Sequence, residues 1–316
     1  MTYVIIHALA PVFIIMLVGF MAGKMKLVDN GNVSLLNIFV MDFALPAALF
    51  TATVKTPWAG IMHQSQLIVV LALSMWIAYA LLFAICVKVF KKSPQDAAVL
   101  TLTLALPNYA ALGLPILSSV FGETPSTALT VAIAIACGSV LMTPFCLMSL
   151  EAGKMAEEGK TGNRLAMLPV LMGRSLKKPI VWGPLLGVIL SALGVQMPEL
   201  FLYAIKPLGL AATASALFLT GVILSARKLK INGAVLVSTF VKNLVQPAIA
   251  IVIVHALGIA PEVGRAGILL IALSAGFFGV VFGNRFKVQS PDAEGTLLLS
   301  SVLAILTIPL FIMLTA

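Results

Sequence analysis

Asn108 directly follows Pro107 inside an apolar run from Pro94 to Phe121, the segment of this chain best suited to chemistry. The local sequence is Ala105-Leu106-Pro107-Asn108-Tyr109-Ala110-Ala111-Leu112-Gly113-Leu114-Pro115. Proline breaks the helical hydrogen-bond ladder, and asparagine offers two donors and an acceptor without a charge. At membrane depth, broken backbone survives only inside protein or beside a water-filled cavity, so such a break points to a transporter's binding site. Ser274-Ala275-Gly276 offers a second break in another apolar run. Half-helices that start after each break would aim free N–H groups and positive dipole ends at the membrane centre, where they suit an anion. Asn108, Tyr109 and Ser274 could each donate a hydrogen bond to it without burying a permanent cation.

Plainer readings stand beside these. Pro107 could simply kink a helix, Ser274 could bond back to its own helix, and Tyr109 could serve packing. Two charges, Asp42 and Lys242, also lie well inside apolar runs. An intramembrane charge costs about 2.5–3.5 kcal/mol on insertion scales and marks a functional site by default. Asp42 could carry a coupling proton or pair with a cation. Lys242 could neutralise a substrate carboxylate, pair with Asp42, or snorkel to the membrane edge. His7, His63 and His255 form no ligand set, and Cys86, Cys137 and Cys146 have no metal spacing, so no metal and no disulfide framework is expected. There is no nucleotide-binding Gly-x-x-x-x-Gly-Lys-Ser/Thr loop, no His-Glu-x-x-His and no catalytic triad spacing, so no cofactor and no enzymatic activity are expected.

The elements that must position these residues follow from composition. Of 316 residues, 61% are hydrophobic and 10% charged, against about 25% charged in soluble domains. The chain is an integral membrane protein by this measure. Ten apolar spans are expected, at about 2–23, 33–54, 66–90, 94–121, 125–150, 179–196, 203–225, 233–257, 264–284 and 293–315. Sixteen Lys/Arg lie in the loops after odd-numbered spans and three (Lys55, Lys206, Arg265) on the opposite side. The positive-inside rule then places the odd loops in the cytoplasm and both termini outside. The net charge of +9 reads as orientation and contact with anionic lipid, not nucleic acid.

The polar segment 151–178 divides the chain into a first five-span repeat, 1–150, and a second, 179–316. An odd number of spans per half inverts one half relative to the other. Pro107 and Gly113 in span four correspond to Ser274 and Gly279 in span nine, and Pro144 in span five to Pro309 in span ten, at nearly equal separations. This predicts an all-α polytopic fold with an inverted repeat and broken fourth and ninth helices.

Asn37-Ile38-Phe39-Val40-Met41-Asp42-Phe43-Ala44-Leu45-Pro46 resembles the second-helix motif of the auxin efflux carrier family. Asn108 through Leu117 resembles that family's first crossover, and Ala272 through Gly276 sits where its second one falls. Bacterial malonate carriers are the most similar members. The resemblance implies a scaffold of helices 1, 2, 6 and 7, a mobile bundle of helices 3–5 and 8–10, and elevator-type alternating access. It also implies a substrate site around Pro46, Asn108, Tyr109, Ala110, Ser274, Ala275, Gly276 and Phe277. Ser274 departs from the family pattern, since plant and some bacterial members carry proline there. The expected function is secondary transport of malonate or a related dicarboxylate, with a proton or sodium ion as coupling partner and a homodimer both left open. A membrane-embedded enzyme and an anion channel are the alternatives.

Overall fold

A computed structural model describes residues 2–55, 64–157, 169, 177, 179–226 and 231–316. Among these the regular structure is helical, with one isolated antiparallel bridge between Pro107 and Ala275. The helices are α1 (Thr2–Lys24), α2 (Ser34–Lys55), α3 (Ser65–Lys88), α4 (Pro94–Ala105) and α5 (Tyr109–Phe121). They continue as α6 (Pro125–Cys137, then Gly138–Met142 and Thr143–Glu157), α7 (Pro179–Ala192), α8 (Glu199–Ser225) and α9 (Gly233–Ala256). The last three are α10 (Pro261–Ala272), α11 (Phe278–Arg285) and α12 (Pro291–Leu314). Among the described residues, six helices are long and apolar enough to cross a membrane: α2, α3, α6 over Pro125–Leu150, α8, α9 and α12. The expected fourth and ninth spans are each divided in two, as α4/α5 and α10/α11, so neither supplies a continuous crossing helix. The fifth span runs past its expected end at 150 to Glu157; Glu158 and most of the expected central loop lie outside the described residues.

Among the described residues, four helices contain a π-helical turn: Phe39–Ala44, Tyr109–Gly113, Gly138–Met142 and Val241–Val245. Each is followed two residues on by a proline, Pro46, Pro115, Pro144 and Pro247 respectively. Proline has no N–H to give and its ring crowds the carbonyl four residues back; widening the preceding turn relieves both.

The chain forms two compact units, each drawn from both halves of the sequence. The first comprises residues 1–68, 109–136 and 177–227. Within it α1 packs on α8, and α2 packs on α7 and α8. Small residues permit this, as expected where lipid removes the hydrophobic drive between helices. A side chain at Gly19 would strike the Phe218 carbonyl of α8, and one at Gly221 the Met16 carbonyl of α1. Pro46 is buried against Gly183 of α7, and the Phe50 and Phe201 rings meet edge to face at 6.2 Å.

The second unit comprises 69–108, 137–176 and 228–316. At its centre is α4, buried continuously from Ala97 to Ala105 and packed against α6, α11 and α12. Ser93 caps α4 by accepting from Asp96 N, and Asn232 caps α9 by accepting from Val235 N. A polar clasp joins these helix starts to that of α12: Lys92 Nζ lies 2.8 Å from Asp96 Oδ2 and 2.6 Å from Asp292 Oδ2. Asn232 donates to Asp292, and Ser290 donates to Asp96. Burial pulls the Lys92 ammonium down, but the two carboxylates outweigh it and hold its pKa above the ordinary lysine value.

Candidate functional site

The two helix breaks meet inside the second unit. α4 ends at Ala105, and Leu106 turns extended (φ −98°, ψ 100°) because Pro107 disfavours helical backbone before it. α10 ends at Ala272, and Leu273 is likewise extended (φ −59°, ψ 155°). The two non-helical stretches run antiparallel: Asn108 N donates to Ser274 O at 2.9 Å, and Gly276 N donates to Thr103 O at 2.9 Å. Gly276 is required by this approach, since any side chain there would collide with the Leu106 carbonyl. Gly279, in the first turn of α11, faces Thr103 and Val99 of α4 in the same way.

Breaking two helices exposes carbonyls at their ends, and buried backbone groups must find partners. They find them on α9. Lys242 Nζ donates to Ile271 O, in the last turn of α10, at 2.7 Å and to Gln246 Oε1 at 2.7 Å. Gln246 Nε2 in turn donates to Ala105 O, at the end of α4, at 2.9 Å. Both helix C-termini are thus laced to one lysine nitrogen, at the place where a cation would complement their negative dipole ends. Asn243, next to Lys242, completes the frame: Ser300 Oγ donates to Asn243 Oδ1 at 2.6 Å and accepts from Ala275 N at 2.9 Å. Asn243 Nδ2 returns a bond to Ser300 O at 3.1 Å. Lys242 is 0% exposed, so it does not snorkel, and its bonds hold it at the crossing instead.

Against this lacing, three side-chain atoms at the crossing stand out. Asn108 is buried, yet neither its Nδ2 nor its Oδ1 has a partner, and the buried Ser274 Oγ has none either. Ser274 therefore does not bond back to its own helix. A buried, unsatisfied polar group costs about 1–3 kcal/mol. An amide with free donors and acceptor, a free hydroxyl and the N-terminus of α11 can together receive the oxygens of an anion.

The remaining expected site residues fall into two groups. Ala275 and Phe277 are buried in the second break, and the Phe277 ring stacks on Phe278 at 5.0 Å. Tyr109 and Ala110, both buried, and Gly113, packed on Val131, form the π-helical turn that opens α5, in the first unit. Pro46 and Asp42 also belong to the first unit; Asp42 sits in the π-helical turn of α2 with an exposed side chain. Gln246, Asn243 and Ser300 were not anticipated. The available signal was the polar set Lys242-Asn243-x-x-Gln246, one helical face's spacing inside an otherwise apolar helix. Among the described residues no three of His, Cys, Asp and Glu gather as a metal site.

The family model described as "Membrane transport protein" matches residues 4–312. The chain is 27% identical over 304 residues to the "Uncharacterized transporter YfdV" of Escherichia coli (strain K12), covering 96% of this chain and 95% of that one. It is 24% identical over 308 residues to the "Putative malonate transporter" of Rhizobium meliloti (strain 1021), covering 94% and 92% respectively.

Proposed function

We propose a transport mechanism that starts from an established premise: this chain belongs to the membrane transport protein family, and it is a membrane transporter. Its substrate is a small organic anion, malonate or a close dicarboxylate, bound where the two broken helices cross. The observation that carries this reading is the buried, wholly unpartnered amide of Asn108 beside the unpartnered hydroxyl of Ser274. One substrate carboxylate takes hydrogen bonds from the Asn108 amide and the Ser274 hydroxyl, and the α11 N-terminus adds its positive dipole. Lys242 supplies the counter-charge, already fixed by Gln246 and Ile271. The name of a distant relative, "Putative malonate transporter", favours a dicarboxylate over other anions.

Ten spans in two inverted five-span repeats give alternating access of the elevator type, with the cytoplasmic face set by the unequal Lys/Arg loops. Asp42, exposed on α2, is the candidate for a coupling proton. The test is counterflow of labelled mono- and dicarboxylates in liposomes, with wild type, Asn108→Leu and Asn108→Asp. Asn108→Leu should weaken substrate affinity about ten- to hundredfold, the loss of a bond to a charged partner. Asn108→Asp should be worse, because it opposes one carboxylate with another. Wild-type affinity in Asn108→Asp refutes the site, and absence of carboxylate flux in wild type refutes the substrate class.

A further inference from the structure

The first unit contains a cavity of about 640 Å³ that none of the residues above explains. It is lined by α1, α2, α5, α8 and the start of α6. Lys55 ends α2, Glu123 lies between α5 and α6, and Lys206 sits two turns into α8, while Pro115 and Leu217 line the cavity from α5 and from further along α8. Lys206 and Leu217 both line it, and eleven residues of helix rise about 16 Å, half the thickness of a bilayer core. The cavity therefore runs from a membrane surface to mid-depth, with charges only at its mouth. Lys55, Lys206 and Glu123 are all exposed, and none is in an ion pair among the described residues. Two cations against one carboxylate leave the mouth net positive. Ser118 adds a wall hydroxyl; its neighbour Ser119 already donates to Ile116 O.

Charged side chains around a cleft with apolar walls focus the field inside it and concentrate ions of opposite sign. We infer that this cavity is an anion-collecting vestibule, in which Lys55 and Lys206 gather small carboxylates while Glu123 limits how tightly they are held. Weak capture suits an entrance, since an anion must enter and leave it quickly. That the vestibule feeds a carrier rests on the transport reading; its charge selectivity does not.

The experiment separates the two. A single reporter, Ser118→Cys, is placed on the wall in protein whose Cys86, Cys137 and Cys146 are replaced by alanine. Purified protein is reacted with an anionic and a cationic methanethiosulfonate of similar size, and the ratio of rates is compared with that for a free thiol. The anionic reagent should be favoured, and Lys55→Gln with Lys206→Gln should lower the ratio roughly three- to tenfold. Glu123→Gln should raise it, a change of opposite sign that a folding defect would not produce. In 1 M salt, where screening shortens to about 3 Å, the bias should vanish. An unreactive reporter, or a ratio indifferent to all three charges, overturns the vestibule whether or not the protein moves carboxylates. A normal bias together with no carboxylate flux keeps the vestibule and removes the transport substrate instead.

Discussion

Replacing Gln246 should damage the fold more than replacing the charge it touches. Gln246 is 0% exposed, accepts from Lys242 Nζ at 2.7 Å and donates to Ala105 O at 2.9 Å. Gln246→Leu removes a hydrogen bond to a charged partner, about 1.5–3 kcal/mol, and a neutral one, about 0.5–1.5 kcal/mol. It also leaves the Ala105 carbonyl uncapped and the ammonium with Ile271 alone, so a loss of about 2–4 kcal/mol follows. Lys242→Met loses two bonds as well and leaves the Ile271 carbonyl and Gln246 Oε1 unpartnered, but it also removes the desolvation cost of a buried cation, which offsets part of that loss. The expected ranking in stability is thus wild type first, Lys242→Met below it, and Gln246→Leu, which loses its bonds with no offsetting gain, lowest. Substrate affinity should rank differently, with Lys242→Met losing anion binding because the counter-charge is gone. Reversible unfolding of purified protein in mixed micelles, paired with malonate binding on the same samples, reads both. Equal destabilisation by the two substitutions, or intact malonate affinity in Lys242→Met, refutes the argument.

Gly276→Ala should unfold or misassemble the crossing, because its methyl would strike the Leu106 carbonyl; overpacking costs about 1–3 kcal/mol, and wild-type melting of that variant would contradict the close approach. Lys92→Met should lower stability by about 1–2 kcal/mol by leaving Asp96 and Asp292 facing each other part-buried. Since the pKa of Lys92 is raised in the fold, its contribution is fully present below the ordinary lysine value and fades as pH rises through the higher folded one. Melting curves of wild type and Lys92→Met should therefore differ at pH 7 and converge only at strongly alkaline pH. Asp42→Asn should abolish accumulation driven by a pH gradient while sparing substrate exchange; gradient-driven accumulation at wild-type levels would rule Asp42 out as proton carrier.

The breaks themselves were legible because proline and glycine act locally: Pro107 stops α4 by its own covalent geometry, and Gly276 marks where backbones approach. The π-helical turns were only half legible: each has a proline two residues beyond it, but Pro184, Pro207 and Pro309 sit inside helices with no such turn, so proline alone signals no more than a kink. Lys242 was visible as a charge out of place, but its role was not. Gln246 meets Ala105 from 141 positions away, and Ser300 meets Ala275 from 25. Such bonds answer a need, uncapped carbonyls and an unpaired N–H, that arises only once the helices are broken and packed. Periodicity marks the polar face of α9 but not the partners that face meets. The sorting of Asp42 and Pro46 into a different unit from Asn108 is likewise a property of packing.

A cation tied covalently into the crossing also has an electrical meaning. If the second unit moves through the membrane field, its Lys242 moves with it. Empty, the site would carry one positive charge, and with a doubly charged anion bound it would carry one negative. Each charge crossing 100 mV is worth about 2.3 kcal/mol, so voltage would act on both legs of the cycle in opposite senses. An inside-negative potential would draw the empty site inward and drive the loaded one outward. For a singly charged anion the loaded site would be neutral and only the empty leg would feel the field. Pre-steady-state charge movements, recorded without substrate and with mono- or divalent carboxylates, would then report the charge of Lys242 without touching the protein.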